Sequence, residues 1–302
     1  MSNGGFDAVV GNPPYVFGRD WKALNIGDDT KSYLGKRYQS SPYQLDMFSI
    51  FMEKAASLCR LNGFVGQIVP NVWLTNMYSS STRAFILGHA NGMCILSLPQ
   101  DVFPGLTVDT IVYTYRKSIE GDDVFDVKSL RDGKLTDIST LKKSEYEDGK
   151  RPISTSLSSV AAALVFRLMS ENSPLGEFTS ITRGVHPYRV GGYGQTAFGK
   201  GVQTKRDVEE RPYHNKSQLI GFRPFIYGRD LRRFGPVIAN DYVKYGPWLA
   251  EPRNPDFFEG DRIYSRKILG ERLVVTVETA NTVADQQVYI TKPTAHLSAH
   301  YL

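Results

Sequence analysis

Short apolar runs, each closed by glycine or proline, organise the first 118 residues of the chain. Phe6 to Val10, apolar but for Asp7, predicts a buried strand of a parallel sheet. Gly11 ends it, and Pro13 and Pro14 prevent its continuation, since neither carries an N–H and each fixes its own φ. Val16 to Pro42 is polar and aromatic with scattered glycines, and reads as an irregular segment over an active site. Tyr43 to Leu61 has helical spacing, with Leu45, Phe48, Met52, Ala55 and Ala56 on one face. Asn62-Gly63 stops that helix. Phe64 to Val69 is a second buried strand, Ser79 to Leu87 a helix, and Met93 to Leu98 a third strand. A turn at Pro104-Gly105 leads to a last strand, Val108 to Tyr115, which can pair antiparallel with the one before it. Strand, helix, strand, helix, strand is the order of half a doubly wound α/β sheet.

Beyond Ser118 the pattern changes. Residues 119–156 are polar, with a little β structure at Val124 to Leu130, and read as a linker between a domain at 1–118 and a second at 157–302. Leu157 to Met169 predicts an amphipathic helix anchored by Val160, Leu164, Phe166 and Leu168. Short strands separated by glycine and proline follow, so the second domain is expected to be mixed and mostly β.

The loop after the first strand has a definite chemical capacity. The Asn12 side chain offers an acceptor oxygen, and the Pro13 carbonyl is an acceptor with no N–H beside it. Together they suit the two hydrogens of an exocyclic amino group. Tyr15 adds a flat face for a planar group. In open α/β sheets, ligands bind at this end of the strands.

Asn12-Pro13-Pro14-Tyr15 after such a strand resembles motif IV of the amino-methyltransferases that use S-adenosylmethionine. It looks most like the N6-adenine DNA methyltransferases of type II restriction–modification systems, including the fused restriction–modification enzymes. Leu45-Asp46-Met47-Phe48, Asn62-Gly63-Phe64 through Leu74, and Val102-Phe103-Pro104 before the last strand resemble further family segments in order. Leu175 to Gly184, Phe225 to Asp230 and Arg266 to Leu269 resemble, more loosely, the start of the family's target-recognition domain.

The resemblance implies the second half of a Rossmann-like methyltransferase sheet followed by part of a DNA-recognition domain. It implies S-adenosyl-L-methionine as cofactor, beside Asn12 and Pro13, and double-stranded DNA as partner. Asn12, Pro13, Pro14, Tyr15 and Phe103 would be the catalytic residues, Tyr15 and Phe103 sandwiching a flipped adenine. The alternatives are a methyltransferase acting on a glutamine side chain or an RNA base, or a DNA-recognition fragment without catalysis. No G-x-G-x-x-G occurs in these 302 residues, where the family places a glycine-rich cofactor turn before the catalytic loop. The expectation is therefore a piece of an enzyme, inactive alone, whose glycine-rich motif is carried by an N-terminal region or a second polypeptide.

Composition adds a little. The formal net charge is +5, which permits a polyanionic partner. In the second domain cations interleave with aromatics, and Arg183, Arg223, Tyr227, Arg229, Arg232, Arg233 and Lys267 are the candidate DNA contacts. The two cysteines, Cys59 and Cys94, lie in apolar surroundings and read as buried thiols of a cytoplasmic protein. No apolar stretch is long enough for a membrane span. His and Cys show no metal-ligand spacing, so no metal is expected. Gly194 to Gly201 only approximates a phosphate loop, because Gly201 stands where Ser or Thr is needed. Asp126-Val127-Lys128 reads as a strand edge rather than a nuclease fragment.

Overall fold

The computed structural model describes residues 4–302 except 41, 43–44, 100–101, 104–107, 119, 269, 271 and 295–296. The expected Pro104-Gly105 turn and the Tyr43 start of the first helix lie outside the described residues. The chain divides into two compact units, Met1–Glu171 and Asn172–Leu302.

The first unit contains β1 (Phe6–Gly11), α1 (Asp28–Arg37), α2 (Met47–Leu58), β2 (Cys59–Pro70), α3 (Val72–Thr75), α4 (Ser80–His89), β3 (Ala90–Ser97) and β4 (Thr110–Lys117). It continues through β5 (Val124–Arg131), β6 (Lys134–Lys142) and α5 (Ser159–Glu171). The strands form one sheet in the order β1-β2-β4-β3-β5-β6. β1 runs parallel to β2, and β4 is inserted antiparallel between β2 and β3. The expected antiparallel pairing of β3 with β4 is therefore present, with Ile95 opposite Tyr113.

Alternation along the strands turns Val65 and Val69 of β2, Ile95 of β3 and Ile111 and Tyr113 of β4 into one core. Phe48, Met52 and Ala55 of α2 and Ile86 and Leu87 of α4 cover it. β1 departs from expectation. It is an edge strand whose Val9 packs on the core while Phe6 and Val10 are 51% and 80% exposed. The apolar run did not mark burial of both faces: Val9 packs on the core, and α2 is the helix in contact with β1. α1 falls within the stretch expected to be irregular. It lacks an apolar stripe and buries no residue, but Asp28 and Asp29 at its start and Lys36 and Arg37 at its end complement its dipole.

The expected linker is also corrected. β5 pairs parallel with β3, and β6 returns along β5, so residues 124–142 extend the sheet and the division between units falls after Glu171. Phe125, Val127 and Leu141 supply alternate apolar positions to the core despite the polar composition around them. In α5 only Ala162 is buried. Of the four expected anchors, Phe166 covers the Arg151 guanidinium at 4.2 Å, while Val160, Leu164 and Leu168 are exposed.

Arg83 on α4 is buried and donates to the carbonyls of Gly149 (2.7 Å), Trp73 (2.6 Å) and Asn76 (2.8 Å). Burial lowers its pKa to about 10. Gly149 has φ +68°, and a Cβ there would lie 1.9 Å from the Ser80 oxygen, so the contact needs glycine. Arg83→Met is expected to leave these carbonyls without their donor and to destabilise the first unit by about 3 kcal/mol or more, read as the urea midpoint shift at constant m-value.

The second unit contains β7 (Thr179–Arg183), α6 (Lys205–Glu210), β8 (His214–Asn215), β9 (Arg223–Ile226), β10 (Asp241–Val243), β11 (Arg262–Arg266), β12 (Val275–Glu278), β13 (Val283–Ala284) and β14 (Val288–Pro293). They make two four-stranded sheets, β13-β9-β10-β8 and β12-β11-β14-β7. A shared core holds Val185, Phe225, Val243, Phe258, Tyr264 and Ile290. Gly184 ends β7 where a Cβ would lie 2.2 Å from the Ala284 oxygen, so only glycine allows that approach. The loop that resembles a phosphate loop is closed on itself. Thr196 Oγ1 and the Ala197 N–H donate to Asp207, which also forms a capping box with Thr204 on α6. Burial opposes ionisation of Asp207, but these hydrogen bonds hold its carboxyl down to about 2.

Candidate active-site loop and basic face

β1 delivers Asn12 to the carboxyl end of the sheet. Gly11 is paired opposite Gln67, and the chain then leaves the ladder at Asn12, which is exposed, while Pro13 is buried. Two prolines make the loop stiff, and its far side is pinned. The Val16 carbonyl accepts from Met47 N–H at 2.9 Å, the Gly18 N–H donates to Asp46 Oδ1 at 2.8 Å, and Phe17 meets Phe48 edge-on at 5.8 Å. Burial raises the Asp46 pKa, against the opposing pull of the Gly18 N–H and Arg19. Tyr15 is half-buried; its hydroxyl is enclosed without a hydrogen-bond partner among the described residues, and burial raises its pKa.

Strand directions bring other residues to the same end. Pro70 at the end of β2 lies opposite Thr110, and Ser97 at the end of β3 opposite Ile111. The connection from β3 to β4 therefore emerges at the end where Asn12 emerges, and Phe103, half-buried, lies in it. Beneath the loop, Gln67 is 6% exposed, accepts from the Tyr113 hydroxyl at 2.5 Å, and keeps its Nε2 3.9 Å from the Cβ position of Gly11.

In the second unit the candidate cations divide. Arg229, Arg232 and Arg233 are exposed, with Arg229 over the Tyr227 ring at 4.6 Å and Arg233 over Phe234 at 4.9 Å. Lys267 is exposed. Arg229, Arg266, Tyr227, Asp285 and Gln287 line a cavity of about 460 Å³. Arg223 is half-buried, donates to the Phe258 carbonyl at 3.0 Å, and lies over the rings of Tyr245 and Phe258. It braces the unit, because neighbouring aromatics cover the short strand it starts. Tyr227 spends its hydroxyl inside the unit, donating to Asp241 at 2.7 Å and accepting from Arg211 at 2.7 Å. Burial, aided by the Asp241 bond, pushes that phenol up to about 12. Arg183 pairs with Glu251 at 2.9 Å.

The Tyr188 hydroxyl accepts from the Tyr213 N–H at 2.8 Å and shares a hydrogen bond of 2.9 Å with His214 Nδ1. Burial, then Arg211, lower His214 from 6.5 to about 4. The unfolded chain thus binds the proton first as pH falls below about 6.5, and stability is lost from there down to about 4. A loss of about 2 kcal/mol at pH 5 relative to pH 7 is expected. It is measured as hydrogen-exchange protection of the β9 amides corrected for intrinsic rate; equal protection at both pH values would exclude a buried neutral His214.

Sequence similarity to known proteins is concentrated in the first third of the chain. Residues 1–103 match the model of the Eco57I restriction-modification methylase family. Over this stretch the chain is similar to restriction-modification methylases. The chain is 28% identical over 145 residues to the type II methyltransferase M.TthHB8I of Thermus thermophilus, a match covering 47% of this chain and 33% of that protein. It is 28% identical over 119 residues to the adenine-specific methyltransferase BrxX of Escherichia coli, covering 38% of this chain and 9% of that one. The match thus spans a third or less of these curated relatives. Among solved structures, the type IIL restriction-modification enzyme MmeI in complex with DNA superposes with a TM-score of 0.56 at 12% identity, over 96% of this chain and 41% of that one. At that identity the likeness concerns the fold: a mixed α/β arrangement with a multi-stranded mixed sheet.

Two residues that support the loop were missed in the sequence. Asp46 holds the loop by Gly18, and Gln67 underlies Gly11. The signal for Gln67 was present: it is the one polar side chain in Phe64-Val65-Gly66-Gln67-Ile68-Val69. Among the described residues no helix is long and apolar enough to cross a membrane.

Proposed function

We propose that the chain belongs to a machine that transfers a methyl group to N6 of adenine in duplex DNA, within a restriction–modification system. The observation that carries this reading is the Asn12-Pro13-Pro14-Tyr15 loop, exposed at Asn12 and locked at Pro13, at the carboxyl end of a sheet strand. The strand order fits the second half of a doubly wound sheet, and the second unit fits a recognition domain.

S-adenosylmethionine suits this loop. Asn12 is exposed and the loop is braced on both sides, so Asn12 and Pro13 are the residues here that would sit beside it. When bound, it supplies an electrophilic methyl group. The target nitrogen is unreachable within the stack, so the adenine has to be flipped out. Asn12 Oδ1 and the Pro13 carbonyl accept the two N6 hydrogens, drawing the nitrogen lone pair out of conjugation. Positive charge grows on N6 as the methyl–sulfur bond breaks, two fixed acceptors favour it, and the surplus N6 proton is then lost to water. Tyr15 and Phe103 stack on the base from the same end of the sheet. Arg229, Arg232, Arg233 and Lys267 contact phosphates, and the cavity beside Arg229 offers donors and acceptors to base edges.

The test is made in the native gene context. DNA from cells carrying the wild-type allele is expected to contain N6-methyladenine at one sequence motif, and DNA from an Asn12→Ala allele to lack it. Methylation of a glutamine side chain or of RNA, with DNA unmodified, would overturn the reading.

A further inference from the structure

Glu251 gathers an unusual number of cations. Its Oε2 accepts from Arg253 at 2.5 Å and from Arg183 at 2.9 Å, and its Oε1 lies 3.4 Å from Arg189 and 3.9 Å from His186 Nδ1. Three guanidiniums on one carboxylate leave two positive charges in excess. Arg183 and Arg189 stay accessible, with side chains 43% and 62% exposed. A guanidinium carries five donors, and one from each of these two is used on Glu251, so donors remain for a second anion.

The platform is rigid. His186 and Glu251 exchange backbone hydrogen bonds at 3.1 and 2.9 Å. Arg253 is held in the left-handed region at φ +65° and donates to the Gly184 carbonyl at 3.2 Å. Such a backbone is strained for a non-glycine residue, and it is kept where the side chain must be aimed.

We infer that Arg183 and Arg189, oriented by Glu251 with Arg253 behind it, form a clamp for one phosphodiester of the DNA backbone. Glu251 here is a positioning residue: it fixes the guanidiniums before the ligand arrives, which lowers the ordering cost of binding. The inference rests on the reading of the second unit as a DNA-recognition domain, and it adds to that reading a phosphate site made by residues other than Arg229, Arg232 and Arg233.

His186 reports on the clamp without any catalytic assay. It faces Glu251, Arg183, Arg189 and Asp285; burial, then the arginines, lower its pKa, while the two carboxylates oppose this. A phosphate held by the arginines adds negative charge beside the ring and has to raise that pKa.

The experiment follows the His186 ring protons of the full chain by NMR as a function of pH, in inorganic phosphate and in chloride of equal ionic strength. Duplex DNA binding is then followed by fluorescence anisotropy across salt. The His186 pKa is expected to be higher in phosphate than in chloride for wild type, and not for Arg189→Ala. The log–log salt slope on DNA is expected to fall by about 0.9 in Arg189→Ala and to be retained in Arg189→Lys. Arg189 is exposed enough for both variants to fold. No phosphate response of His186 would overturn the clamp. A phosphate response with an unchanged DNA slope in Arg189→Ala would overturn the DNA backbone as its ligand. If wild type shows no salt-dependent DNA binding while the phosphate response persists, the recognition-domain reading fails and the anion site survives it.

Discussion

Asn12→Ala is expected to abolish methyl transfer by the complete enzyme while leaving DNA affinity within about twofold of wild type. Asn12 stands exposed at the end of β1, with Pro13 buried behind it, so alanine removes an acceptor without removing packing. The missing acceptor matters chiefly as charge develops on the amino nitrogen. Losing one such preorganised group typically slows the reaction by on the order of a hundredfold or more. The effect belongs in the single-turnover rate, because a residue that bound ground state and transition state alike would raise KM instead. A variant that kept most of its single-turnover rate would show that Asn12 is not the acceptor.

Neutralising Arg229, Arg232 and Arg233 together is expected to flatten the salt dependence of DNA binding by about two to three log–log units. All three are exposed and, among the described residues, none lies within ion-pair distance of a carboxylate, so their charge is free to displace counterions. Arg223 makes the control. Its guanidinium is spent on the Phe258 carbonyl and two aromatic rings, so Arg223→Ala should lower stability and leave the slope unchanged once the folded fraction is accounted for. A phosphate contact is lost equally on cognate and random duplex. A base-edge contact costs roughly 1–3 kcal/mol on the cognate site alone. Anisotropy titrations on both duplexes separate the two, and an unchanged slope in the triple variant would mean that this surface only faces solvent.

Much of the first unit was legible because its elements are local. Helical spacing in Met47 to Leu58 and β-branched runs in β2 and β4 announce themselves without knowledge of their neighbours. What each strand faces is not local. Phe6 to Val10 has the composition of a buried strand, yet it occupies a sheet edge, and the polar stretch expected to link two domains instead adds β5 and β6. The site divides the same way. Asn12 to Tyr15 are contiguous and could be read directly, whereas the arginines on Glu251 come from positions about 70 residues apart in sequence and meet only through folding. Composition could nominate Arg183 and Arg223 alike; only burial tells that the first is exposed and the second half-buried against aromatic rings.

The edge position of β1 has a consequence for local stability. Among the described residues β1 pairs with β2 alone, in parallel, which brings Phe6 beside Cys59 and so closes a loop of roughly fifty residues. Its amides are therefore among those of the sheet that open to hydrogen exchange most readily, ahead of β2 and β4 with a strand on either side. Asn12 sits at the end of this lightly held strand. A ligand that engages Asn12 thus also draws β1 against β2, and some of its binding free energy is stored as slower exchange in a strand it does not touch.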